Sequence, residues 1–281
     1  MVVKNKNIFG QLLTVEENKK AQLDILSYVD AFCSKMGLRY YLGDGTLIGA
    51  VRHHGYIPWD DDIDIRMPRP DYDELIRIFN EGSKDSRYRL IEPKSKLAQN
   101  SFVKIIDSDT IKIEPYLDYK NGYLGVDIDV FPFDGCPSDE QEFTEWATTI
   151  RSYDKAFLYK KRIWYRAILS RAKDFFCKRL HAKWLPFVSS DEILTTIENS
   201  FQEYPFDKSE YICGVNVVDC FRVPADAIKA YMLVPFEDRT FRIPVGYDAI
   251  LTAQYGNYMQ LPPIEEQVPH HTNKVYWKNK S

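Results

Sequence analysis

Residues 43–65 read GDGTLIGAVRHHGYIPWDDDIDI and set five carboxylates in one short window: Asp44, Asp60, Asp61, Asp62 and Asp64. Like charges this close repel one another, and folding gains nothing from crowding them. The plain alternative is a solvated acidic turn. The end of the stretch argues against it. DIDIRM, residues 62–67, alternates acidic and apolar residues with period 2, the period of a strand. On such a strand Asp60, Asp62 and Asp64 share one face, with Asp61 on the other. Ile63 and Ile65 require burial behind them, so the carboxylates are held rigidly side by side. Fixed parallel carboxylates are costly unless a divalent cation screens them. A calcium loop is excluded: the sixth residue from Asp60 is Ile65, where glycine is needed, and the twelfth is Asp71 instead of Glu. An open Mg²⁺ site completed by substrate phosphates fits better.

Working outward, GVDIDVF (residues 125–131) repeats the pattern with Asp127 and Asp129. Two neighbouring strands of this kind would converge three or four carboxylates on one point, the construction of a metal-assisted phosphoryl-transfer site. Taken alone, Asp127 and Asp129 read equally well as a strand edge kept soluble by charge. Before the acids, Gly43, Gly45 and Gly49 allow a tight turn and close approach of a ligand, and the Thr46 hydroxyl with nearby amides could hold phosphate oxygens. No Walker A lysine follows. Arg52 is a candidate for neutralising phosphate charge. His53 and His54 read as surface residues. His270 and His271, the other adjacent pair, are tail residues that could reach the site.

Around these motifs the chain reads as alternating helices and strands. Thr14 and Glu17 form a capping box for a helix to Met36, with Leu26, Val29, Phe32, Cys33 and Met36 on one face and Gly37 as its stop. RYYL (39–42) is a short strand. Asp71 and Glu74 cap a second helix with Leu75, Ile76 and Phe79 inward. SFVKII, TIKIEPYL and GYLGVDIDVFPF, beginning at residues 101, 110 and 122, read as strands. Helices at 191–203 and YDAILTAQYG (247–256) flank a strand RTFRIPV (239–245). The expectation is a mixed α/β (α+β) layer around one sheet. The Pro-rich tail wraps the domain.

Hydrophobic residues are 44% of the 281 and charged residues 28%, so a sizeable core is available. A net charge of -4 argues against a general nucleic-acid binder. Five scattered cysteines without zinc spacing, no hydrophobic leader and no long apolar run point to a cytoplasmic protein with free thiols. Residues 151–183 hold eleven Lys or Arg against Asp154 and Asp174, a local +9 that leaves the remainder at -13. Three parts are expected: a catalytic core at 1–137, a basic helical insertion at 138–210, and a segment at 211–281 that completes the core.

Three stretches carry a family resemblance. YYLGDGTLIGAVRHHGYIPWDDDIDIRMPRPDYDEL (40–75) closely resembles the signature of the LicD family of choline phosphotransferases, relatives of fukutin. GVDIDVFPFDG (125–135) and YGNYMQLPPIEEQVPHHTNKVYWK (255–278) are similar to it as well, whereas residues 138–210 carry no matching motif. The resemblance implies a nucleotidyltransferase-like mixed sheet flanked by helices, with a helical insertion. It assigns Gly45 and Thr46 to the Gly-Ser/Thr pair, Asp62 and Asp64 to the first metal ligands, and Asp127 or Asp129 to the third acid. Asp44 departs from the pattern, which favours a small or neutral residue there. The implied reaction transfers phosphocholine from CDP-choline to a sugar hydroxyl of a teichoic acid or lipopolysaccharide precursor, with Mg²⁺ and release of CMP. The quaternary ammonium of choline calls for an aromatic cage. Tyr56 and Trp59 are the candidates, with core packing as their equal alternative.

Other readings keep the same residues: a transferase using CDP-ribitol or CDP-glycerol, a nucleotidyltransferase, or a noncatalytic cation-binding membrane adaptor. The basic insertion, rich in Phe, Tyr and Trp, suggests peripheral contact with the inner membrane surface, where a lipid-linked acceptor would lie. A solvated helix explains the same composition.

Overall fold

The computed structural model describes residues 8–114, 119, 121–161, 188–269 and 273–279. Strand β1 (Phe9–Leu12) leads into helix α1 (Val15–Met36). Its start follows the expected capping box: the Thr14 hydroxyl accepts from the Glu17 N–H at 3.1 Å, and the Glu17 carboxylate accepts from the Thr14 N–H at 2.8 Å. Gly37 closes it in the left-handed region at φ 71°. Ile25, Leu26, Val29 and Cys33 are buried on its inner face. Met36 is 41% exposed, so the apolar stripe stops one turn before the helix does.

Strand β2 (Tyr41–Leu42), helix α2 (Asp44–Ile48) and strand β3 (Asp64–Pro68) follow. β3 starts later than the alternation suggested: Asp60 closes a turn with its N–H on the Ile57 carbonyl at 2.9 Å, and Asp62 lies in the irregular stretch between that turn and the strand. Helix α3 (Arg69–Gly82) begins directly after Pro68. Asp71 therefore sits inside its first turn rather than capping it. Its carboxylate accepts from Arg39, from the backbone N–H at 3.0 Å and from Nε at 2.8 Å.

Strands β4 (Tyr88–Ile91), β5 (Val103–Asp107), β6 (Thr110–Ile113) and β7 (Asp127–Cys136) come next. Helices α4 (Glu140–Lys161) and α5 (Ser190–Gln202) pack on each other through Ile150, Phe157, Ile193, Leu194 and Ile197. The chain ends with β8 (Tyr211–Val215), β9 (Cys220–Pro224), β10 (Tyr231–Phe236), β11 (Arg239–Pro244), α6 (Tyr247–Tyr255) and β12 (Lys274–Lys278).

The main sheet runs β2-β3-β7-β5-β4, and β8 and β9 extend it from the far half of β7. Only the β3–β7 pair is parallel; the other neighbours are antiparallel. The mixed α+β expectation therefore holds. The Pro-rich tail ends as β12, inserted between β1 and β6, which ties the end of the chain to its beginning. Cys33, Cys136, Cys213 and Cys220 are free thiols. Among the described residues, no helix is long and apolar enough to cross a membrane.

Candidate active site

The acids are assembled by the one parallel strand pair. Its register sets Asp64 beside Asp129, Ile65 beside Val130 and Arg66 beside Phe131. Alternation then puts Asp64, Arg66, Asp129 and Phe131 on one face, while Ile63, Ile65, Ile128 and Val130, all 0–1% exposed, anchor the other. The Asp129 N–H donates to the Ile63 carbonyl at 2.9 Å, holding the segment that carries Asp62 against β7.

The Gly-rich loop braces this arrangement. The Gly43 N–H donates to the Asp64 carbonyl at 3.0 Å, and the Asp64 N–H donates to the Thr46 hydroxyl at 2.9 Å. Thr46 is 3% exposed, so its side chain positions the acidic strand from behind. Gly45 has a specific reason to be glycine: a Cβ there would stand 2.7 Å from Asp60 Oδ2. The Asp60 carboxylate thus folds over the loop backbone.

Crowding shows in the proton affinities. Burial, followed by the charges of Asp62, Asp44, Asp129 and Asp60, raises the Asp64 carboxyl well above its ordinary value. Burial and then Asp62 push Asp60 up to about 8. Burial raises Asp129 to about 6 against the pull of Lys104. Asp127 behaves oppositely. Although burial opposes ionisation, Lys104 and Lys112 outweigh it and hold Asp127 below the usual carboxylate range. Lys104 donates to Asp127 Oδ2 at 2.5 Å and also to Asp129 Oδ1; Lys112 donates to Asp127 Oδ1 at 2.6 Å.

Both Asp127 oxygens are thus committed to ammonium groups, whereas Asp129 lies in register with Asp64. We expect Asp129→Asn to remove turnover while the protein still folds. Asp127→Asn should instead lower stability, by up to roughly 3 kcal/mol, because it removes the counter-ion shared by buried Lys104 and half-buried Lys112 and leaves them only Asp129 and Glu114. Initial rates and melting temperatures of the two variants separate these outcomes.

The raised acids also set a pH dependence for the protein stripped of divalent cations. Between about 4 and about 8 the folded state holds the Asp60 proton that the unfolded chain releases. The folded state binds more protons, so stability falls as pH rises through this window. Melting curves in chelator should show that slope, and Asp60→Asn should flatten it.

Asp44, the departure from the family pattern, belongs to a buried network. It takes a left-handed φ of 48°. Its carboxylate accepts from Arg66 Nε at 2.9 Å and Nη2 at 2.7 Å, and from Gln254 Nε2 at 2.5 Å. Asp219 accepts from the same Arg66 at 2.9 Å and the same Gln254 at 2.8 Å. The network joins the loop, β3, the β8–β9 turn and α6, fixing the acidic strand from the end of the chain.

The remaining expected residues have other partners, although Tyr56 stays beside the acidic segment: its hydroxyl donates to Gln22 Oε1 at 3.1 Å, and Gln22 Nε2 donates to the Asp61 carbonyl at 3.0 Å. Arg52 Nε donates to His53 Nε2 at 2.9 Å and Nη1 donates to the Tyr258 carbonyl at 2.5 Å, so it clamps the C-terminal segment. Tyr56 is 8% exposed, with Lys19 Nζ 4.4 Å from its ring centroid and Phe236 beside it at 5.2 Å. That ring is core. Trp59 is half-buried against His53, with ring centroids 6.4 Å apart. His270 and His271 lie outside the described residues. Sequence reasoning passed over Arg66, Lys104, Lys112, Asp219 and Gln254. The signal for two of them was present: Arg66 continues the Asp62–Asp64 alternation, and Lys104 is the lone cation in an apolar strand.

Among the described residues, no three His, Cys, Asp or Glu side chains stand together as a preformed metal cage. The donor chemistry nonetheless fits a hard divalent cation. The four charged groups that weigh most on Asp64 are carboxylates, and each raises its proton affinity.

Residues 37–166 match the family described as LicD/FKTN/FKRP, nucleotidyltransferase domain. The chain is 30% identical over 279 residues to the lipopolysaccharide cholinephosphotransferase LicD of Haemophilus influenzae, covering 94% of this chain and 98% of that protein. It is 29% identical over 116 residues to the ribitol 5-phosphate transferase FKRP of Mus musculus, covering 41% of this chain and 20% of that protein.

Proposed function

Since the chain belongs to the LicD family of transferases, we propose that it moves phosphocholine from CDP-choline to a sugar hydroxyl on a lipopolysaccharide or teichoic acid precursor, releasing CMP. The observation that carries the reading is the near-full-length identity to a lipopolysaccharide cholinephosphotransferase, in a chain whose own sheet aligns Asp64 with Asp129.

In this reading Asp62, Asp64 and Asp129 would hold Mg²⁺, which when bound supplies positive charge to the donor pyrophosphate and the departing CMP. The protein's own groups do the rest. Thr46 and Gly43 fix Asp64 through its backbone. Lys104 takes Asp129 Oδ1 and leaves Oδ2 without a hydrogen bond among the described residues. Asp129 is thereby the candidate to accept the proton of the attacking hydroxyl. Asp127, bound at both oxygens by lysines, orients Lys104.

The test is a panel of CDP-choline, CDP-ribitol and CDP-glycerol with Mg²⁺ and lipopolysaccharide acceptor, read as CMP release. CDP-choline should be the best donor. Preference for CDP-ribitol, which the likeness to the mouse ribitol 5-phosphate transferase keeps in view, would move the donor assignment within the same chemistry. Release of pyrophosphate from a nucleoside triphosphate would overturn the reaction class.

A basic surface would bring the enzyme to a lipid-linked acceptor. Most of the basic segment, residues 162–183, lies outside the described residues. Its described start includes Lys160 and Lys161 at the end of α4. Each basic side chain near an anionic bilayer contributes about 1 kcal/mol. Wild-type protein should bind anionic liposomes at low salt, and a variant with Lys160, Lys161 and Arg162 changed to Glu should not. Indifference of the wild type to anionic vesicles would leave the segment an ordinary solvated one.

A further inference from the structure

Two residues on from the acids along β3 and β7 lies a cavity of about 580 Å³, lined there by Arg66 and Phe131, within the range of small-molecule sites. Arg66 follows Asp64 by two residues and Phe131 follows Asp129 by two, so the cavity floor continues the acidic pair. Two strand residues advance about 6.6 Å, the reach of a two-carbon chain between a phosphate and its head group. Phe102 joins Phe131 in the wall, with ring centroids 4.3 Å apart and planes tilted by 45°. The α4–α5 pair contributes Asp154, which is held by Ser101 next to Phe102, and Phe201.

The charges in this wall favour a cation. Arg66 is matched by Asp44 and Asp219, Arg69 by Asp134 and Asp73, and Lys94 by Glu198. Of the carboxylates left over, Glu92 is exposed to solvent and Asp154 is buried. Asp154 is 3% exposed, and its carboxylate accepts from the Ser101 hydroxyl and from the Val217 N–H at 2.6 Å. No cation pairs with it among the described residues, and burial raises its proton affinity against those two hydrogen bonds. A buried carboxylate held by neutral donors, next to aromatic rings, suits a cation that cannot itself hydrogen-bond strongly. Both rings already attract neutralised cations: Arg66 lies 5.1 Å from the Phe131 centroid and Lys104 5.5 Å from that of Phe102.

The geometry points to this cavity as the receptor of the donor's trimethylammonium head group, with Phe102 and Phe131 as its aromatic contact and Asp154 as its countercharge. It replaces the cage expected at Tyr56 and Trp59, and it rests on the phosphocholine reading above. Acceptance of the head group here also orders the substrate: the phosphate stays at Asp64 and Asp129, and the nucleotide extends away from the helical pair.

Calorimetry on the full chain tests it, with choline, CMP and CDP-choline as ligands and the wild type, Asp154→Asn and Phe102→Leu as proteins. Asparagine can still accept from the Val217 N–H through its Oδ1 and donate through its Nδ2 to the Ser101 hydroxyl, and leucine keeps the cavity lined, so both variants should fold. Affinity for choline and CDP-choline should fall by about tenfold in each, with CMP affinity unchanged. Wild-type protein that ignores choline, variants that bind it normally, or a loss shared equally by CMP would each overturn the assignment. So would unchanged choline affinity with a raised KM for the acceptor, which would give the cavity to the sugar. If the wild type turns over no CDP-choline yet binds choline, and both variants lose that binding, the donor reading falls and the cation receptor stands.

Discussion

Asp64→Asn should reduce turnover by at least about 10²-fold, the scale of deleting one preorganised charge-stabilising group, and should raise the melting temperature of the metal-free protein. The two effects share a cause. The Asp64 carboxyl is raised well above its ordinary value by burial and by four neighbouring carboxylates. At neutral pH the ionised group therefore costs the folded state free energy that a neutral amide of the same shape does not. The Asp64 backbone bonds to Thr46 and Gly43 are unaffected, so the strand stays in place. Asp62→Asn should behave alike in rate. Mg²⁺ should stabilise the wild type and have little effect on Asp64→Asn. Activity within a few-fold of wild type in both variants would sink the site.

Arg66→Met should destabilise the protein by roughly 3–5 kcal/mol, a fall of the order of 10 °C in melting temperature. Arg66 is 1% exposed and is the only cation on Asp44 and Asp219 among the described residues. Removing it strands the buried Asp44 and the half-buried Asp219 carboxylates, whose charge the neutral amides of Gln254 and Asn216 cannot cancel. Its own affinity for the proton is raised by those carboxylates although burial opposes it. The change should also lower the rate, because Asp44 begins the helix that carries Thr46. A melting temperature indistinguishable from wild type would mean the network carries no stability. Rescue by the additional changes Asp44→Asn and Asp219→Asn would confirm that stranded charge is the cause.

What could be read from the chain alone followed from local chemistry. The capping box of α1, its Gly37 stop and the period-2 acids on apolar strands are set by neighbours a few residues apart, so composition and spacing reveal them. Strands β4, β8, β9 and β10 were not legible, because each is specified by the strand it pairs with. Asp71 misled for a related reason: its partner is Arg39, thirty-two residues away. The start of β3 at Asp64 was likewise a matter of what pairs with it.

The candidate site divides the same way. Asp62, Asp64, Asp127 and Asp129 stood out because crowded carboxylates on rigid apolar strands ask for a cation. The sequence could not choose between Asp127 and Asp129, since alternation puts both on one face of β7. The register of β3 against β7 favours Asp129, and the lysines of β5 and β6 claim Asp127. Arg52 and Tyr56 looked like ligand contacts by proximity in the chain; tertiary packing sets Arg52 on the Tyr258 carbonyl and buries the Tyr56 ring, with its hydroxyl on Gln22. Asp44 looked like a fault in the loop until Arg66, Gln254 and Asp219 were brought beside it. Periodicity determines which faces carry charge, because side-chain direction is local. Which charges meet, and which are cancelled, depends on strand register and on helices returning from distant parts of the chain, and only the tertiary structure decides that.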